Sequence, residues 1–138
     1  MSSYRFFVIF LTAFALNVCA ASADVIGTTD QEVKAVSGPV LDGILEGLRT
    51  GDYNEYSRNF DGTLKDAVSE AEFKKVKANI DKTLGYCESR QYLGFLKKGK
   101  MTVTLWKGRF SKSTDDQLIK LIMTKRDGKY LVSGLWFQ

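Results

Sequence analysis

At residue 85 the spacing of apolar side chains changes from helical to alternating, and this switch limits the chain to few folds. Before it, Val33, Val36, Val40, Leu41, Ile44, Leu45 and Leu48 recur at three- and four-residue intervals, as the buried face of a helix requires. Thr29 stands three residues before Glu32, the spacing of a capping box. Gly38-Pro39 interrupts this pattern. Either the helix starts near Ser37 with proline in its first turn, or a longer helix kinks there. Gly51 closes the segment, residues 52–60 read as a short second helix, and residues 61–63 read as a loop or single turn. Ser69 and Glu72 form a second capping box that opens a helix with Phe73, Val76, Ile80 and Leu84 on one face. Gly85 is placed to end it.

After the switch, residues 86–97, 101–111, 117–126 and 129–137 read as strands. Asp127-Gly128 is a type I′ hairpin signal, because both residues tolerate positive φ. Short connections make the four strands an antiparallel meander. A run of helices followed by a run of strands defines an α+β class, with the N-terminal helices packed on one face of a curved four-stranded sheet.

Strict alternation puts Met101, Val103 and Leu105 on one face of the second strand, with Trp106 and Phe110 on the other. In the last strand it opposes Tyr130, Val132 and Trp136 to Leu131, Leu135 and Phe137. A sheet covered on one side shows a polar outer face, so apolar groups on both faces imply two covers. The helices are one. The other is a partner subunit, with Trp106, Phe110 and Trp136 as interface candidates, or a ligand. Strong curvature that lets helices line a concave pocket accounts for the same pattern without a partner.

The N-terminus has the parts of a secretory signal: Arg5, an apolar run over residues 6–16, and Ala21-Ser22-Ala23 as an A-x-A cleavage site. The run is shorter than the roughly 20 residues that cross a bilayer as a helix. The expected organisation is a signal peptide at 1–23 and one domain at 24–138, periplasmic or secreted, with no transmembrane segment after cleavage. Acylation of Cys19 as a lipoprotein is the lesser alternative, because Val18 departs from the small residue such a site needs. Cleavage removes Arg5 and Cys19, which leaves 19 basic against 16 acidic side chains and Cys87 as the sole thiol. Without an intramolecular disulfide, stability must come from a core.

The order helix, short helix, helix and four long strands resembles the nuclear transport factor 2-like superfamily, whose cystatin-like cone wraps helices into a curved sheet. More narrowly, it resembles a bacterial exported family of unknown function within that superfamily. The stretches that carry the likeness are Leu48-Arg49-Thr50-Gly51-Asp52-Tyr53, Phe60-Asp61, Phe73-Lys74-Lys75-Val76, Leu84-Gly85 and residues 127–137. They are turns, caps and core positions spread over roughly residues 30–138. The superfamily holds isomerases and dehydratases beside non-catalytic binding and assembly domains, so fold alone assigns no activity.

The chain contains no histidine, which excludes Ser-His and Cys-His nucleophile systems and any imidazole base. One mature cysteine and no histidine exclude a zinc site of the His/Cys kind, and no metal or other cofactor is expected. What remains for catalysis is a carboxylate in an apolar cone: Asp61, where the chain leaves the second helix, or Glu88. Tyr56, Arg90 and Tyr92 are the candidate ligand-binding residues, since Glu88 and Arg90 share a strand face with Tyr86 and Tyr92 under strict alternation. Residues 24–84 carry 8 basic and 12 acidic groups, and residues 85–138 carry 11 and 4. The basic half suits an anionic cell-envelope partner or blunts sheet edges against aggregation, and export argues against nucleic acid. The expectation is an exported, non-catalytic binding or assembly module that forms a homodimer through its sheet. The alternative is a carrier of a small apolar ligand, or a histidine-independent enzyme, that uses the cone cavity.

Overall fold

The Thr29 hydroxyl accepts the Glu32 N–H at 3.2 Å, and from this cap the first helix, α1 (Asp30–Thr50), runs unbroken for 21 residues. The computed structural model describes residues 23–138, so the expected leader, Ala23 excepted, and Cys19 lie outside the described residues. The Glu32 carboxylate reaches back to Thr28 N–H at 2.7 Å, one residue earlier than in the standard box. Pro39 neither starts nor ends the helix. An interior proline forfeits one hydrogen bond and crowds the carbonyl four residues back, at about 3 kcal/mol. Packing offsets this: bare Gly38, beside the proline, lets Arg90 and Trp106 pack on the helix.

Helix α2 (Tyr53–Ser57) is capped by Asp52 and crosses α1 at Gly47, where a Cβ would lie 2.5 Å from Tyr56 N. Helix α3 (Gly62–Ala67) stands where the sequence suggested only a loop or turn; it buries no residue, so it leaves no apolar period to read. Helix α4 (Glu70–Thr83) starts at Ser69, whose hydroxyl accepts the Glu72 N–H at 3.3 Å. The Glu72 carboxylate pairs with Lys75 and not with the Ser69 N–H, so half of the expected box forms. Gly85 follows the helix at φ 78°.

Strands β1 (Cys87–Lys98), β2 (Met101–Phe110), β3 (Gln117–Arg126) and β4 (Lys129–Phe137) pair antiparallel in sequence order. Asp127 and Gly128 take φ of 53° and 72°, the positive pair that a type I′ turn demands. Register shifts fall at Glu88 and Leu93 in β1 and at Ser133 in β4. Such bulges bend a sheet, and here they curve it around the helices. The Ser133 shift also corrects the expected faces of β4. One extra residue resets the alternation, so buried Val132 joins Leu135 and Phe137 on the face paired with Met123, Leu121 and Ile119.

The core lies between this concave face and the helices. Trp106, Ile119, Leu121, Met123 and Val132 from the sheet meet Val33, Leu41, Ile44 and Phe73 from α1 and α4. Trp106 is fully buried and Phe110 is 3 % exposed, so neither is on the partner-facing side where they were expected. The parity was right, but the helices cover the even-numbered face of β2. Among the described residues no helix is long and apolar enough to cross a membrane.

Candidate functional site

On the concave side, two of the three expected ligand-binding residues, Arg90 and Tyr92, fasten α1 to the sheet. Arg90 points inward from β1 and makes two charged hydrogen bonds to Asp42 of α1, that from Nη2 to Oδ2 being 2.7 Å. Its guanidinium lies 4.5 Å over the Trp106 ring. The Tyr92 ring meets Trp106 edge-on at 5.1 Å, and its hydroxyl donates to Asp30 Oδ1 at 2.9 Å. Burial, then this bond to a carboxylate, pushes the Tyr92 phenol well above its ordinary value, while the bond to Asp42 raises the Arg90 guanidinium further. Arg90, Tyr92 and Trp106 therefore come together as a clasp.

Strict alternation misses this arrangement. The bulge at Glu88 leaves that side chain exposed, and the Arg90 carboxylate partner is Asp42, 48 residues away in sequence. Nothing local marks Asp42 or Asp30 as partners.

Asp61 is occupied in structure: its Oδ1 accepts the Leu64 N–H at 2.8 Å as the cap of α3, and its own N–H bonds to the Val132 carbonyl at 2.9 Å. Tyr56 is 4 % exposed and stacks with Phe60 and Phe73 at centroid distances of 4.9 and 4.7 Å. Burial pushes its phenol up to about 12. Cys87 is half-buried, donates from Sγ to the Ser89 carbonyl at 3.3 Å, and has its thiol pushed up by burial. The enclosed space beside it, bounded by Leu45, Leu48, Ile80 and Phe110, measures about 10 Å³, room for at most one water. Among the described residues no three His, Cys, Asp or Glu side chains gather as a metal site would need.

The convex face differs. Two cross-strand rows build its centre: Leu96, Val103, Ile122 and Gly134, then Gly94, Leu105, Lys120 and Trp136. A shallow apolar groove of about 340 Å³ follows these rows, lined also by Lys98 and by Lys120 between Leu105 and Trp136. Leu96 is 50 % and Trp136 46 % exposed. The Trp136 indole folds over Gly134, where a Cβ would stand 2.4 Å from Cζ3, and this missing side chain sets the ring against the sheet. Glu88 at the start of β1 is the one carboxylate within the four strands, against nine Lys and Arg, so the strands forming this face are strongly basic. Lys107 and Arg109 lie 3.9 and 3.7 Å from Asp116 of the β2–β3 loop. Of the three expected interface residues, only Trp136 lies here. Leu96, Val103, Leu105 and Ile122 join it, and they share its face by cross-strand pairing that the strand sequences do not reveal singly. Comparison of the chain with family models, with curated proteins and with solved structures gave no match.

Proposed function

We propose that this is an exported, non-catalytic assembly module in which two copies pack convex face to convex face. The observation that carries the reading is the apolar groove of Leu96, Val103, Leu105, Ile122 and Trp136 on a sheet face that none of the described residues covers. Four strands of about ten residues make a footprint of about 600 Å² at ~3.3 Å per residue and ~4.8 Å per strand. A stable complex buries about 800 Å² per partner, which this face approaches once its relief and rim are counted. The nuclear transport factor 2-like likeness fits the same use of a sheet, and the cavity alternative is disfavoured because core side chains occupy the concave side. The clasp of Arg90, Tyr92 and Trp106 then serves to hold the sheet's curvature, and Asp61 and Glu88 have no catalytic part.

Sedimentation velocity at micromolar concentration tests this. The wild-type chain sediments as a dimer, and Trp136→Glu and Leu96→Glu each give a monomer with an unchanged far-ultraviolet circular dichroism spectrum. A wild-type monomer at every concentration, or a dimer indifferent to both changes, would refute the proposal.

A further inference from the structure

Because β1 and β3 run toward one end of the sheet and β2 and β4 leave it, the two hairpins share that end. The described chain enters there as well: Asp24 forms an antiparallel bridge with Lys125, its N–H and carbonyl each bonded at 2.7 Å. This end gathers Lys97, Lys98, Lys100, Lys125, Arg126 and Lys129, all exposed. Its carboxylates are Asp24 and Asp127, and the nearest ion pair, Lys100 to Asp24, is loose at 3.9 Å. Six cations against two acids equal the net +4 of the whole chain, so the rest of the molecule is balanced. The charge is concentrated at one pole.

We infer that this hairpin pole docks on an anionic lipid surface. Two features select lipid over another polyanion, the first acting before the leader is cleaved or where Cys19 is acylated instead. Seven residues separate Leu16, the end of the apolar run, from Asp24, and even fully extended they span about 25 Å. While that run is in a membrane, or Cys19 is anchored to one, the basic pole is the part of the domain held nearest the headgroups. Met101, 42 % exposed beside the first hairpin, adds an apolar group at the level where headgroups meet acyl chains. A basic patch near an anionic leaflet gains about fivefold in affinity per Lys or Arg, and a patch plus an apolar anchor holds where either alone is marginal.

The test uses the protein as the cell exports it, its N-terminus read by mass spectrometry, in co-sedimentation with phosphatidylcholine vesicles with and without phosphatidylglycerol. The combined K100Q/R126Q/K129Q variant leaves the convex groove untouched, so its sedimentation velocity reports separately on face-to-face assembly. The expected result is binding that needs phosphatidylglycerol, falls about a hundredfold in the triple variant, and vanishes near 1 M salt, where the screening length is about 3 Å. Equal partition to both vesicle types, or undiminished binding by the triple variant, overturns the inference. Binding to soluble polyglutamate as tight as to the vesicles overturns the choice of lipid.

Discussion

Breaking the clasp between Asp42 and Arg90 tests how the helical layer is held to the sheet. The pair is intermediate in exposure, with the Arg90 side chain 25 % and Asp42 58 % accessible. A hydrogen bond to a charged group contributes about 1.5–3 kcal/mol when shielded, and exposed ion pairs about 0.2–1. A coupling of about 1 kcal/mol is therefore expected, weighted toward the exposed limit by Asp42. Arg90 also lies over Trp106, a contact worth about 0.5–1 kcal/mol that survives loss of the carboxylate. Asp42→Asn should cost about 1 kcal/mol, Arg90→Met about 2, and the double variant about 2 rather than 3. Urea denaturation followed by fluorescence measures all four corners; a Trp136→Phe background makes the buried Trp106 the only indole reporter. For a domain of this size each 1 kcal/mol moves Tm by about 4 °C, so the shortfall from additivity is visible by calorimetry too. Costs that add within about 0.3 kcal/mol would show that the two side chains act independently and that the clasp is not a unit.

Three further outcomes follow from other contacts. Gly47→Ala should destabilise by about 3 kcal/mol, because its Cβ meets Tyr56 backbone at 2.5 Å, whereas Gly62→Ala meets nothing within 4 Å and should gain up to about 1 kcal/mol from helix propensity; denaturant midpoints that rank them otherwise contradict the α1–α2 crossing. The Tyr56 phenol has a folded value near 12 against about 10 in the unfolded chain, so its contribution is full below pH 10 and is lost as pH rises toward 12. Stability should fall by about 2 kcal/mol over that window and less steeply in Tyr56→Phe, as read from urea midpoints at each pH. Face-to-face assembly opposes Lys98 and Lys120 to their like, so the dimer should tighten rather than weaken with added salt in sedimentation experiments, and weakening would point to a pairing built on opposite charges.

Local chemistry was legible wherever it acts over a few residues. The capping positions Thr29 and Ser69, the stop at Gly85, the Asp127-Gly128 turn and the strand bounds all follow from short-range rules, and with them the α+β class and the meander order. Helix α3 escaped because it rests on one side-chain cap at Asp61 and packs a single half-buried apolar side chain, Leu64, too little to show a period. Pro39 stayed ambiguous in sequence because its cost is local, while its compensation comes from Arg90 and Trp106, distant in sequence. The site was hidden for a related reason. Alternation tells which residues share a face, but not which face the helices will cover, so Trp106 and Trp136 look alike until packing separates them. A bulge shifts every later side chain by one position, and the residue skipped at Ser133 or Glu88 is not distinguished by its own chemistry. Register, bulges and the choice of covered face are minima of the whole packed assembly, in which burying Trp106 beneath α1 leaves the convex face without cover from the described residues, and no window of sequence contains that balance.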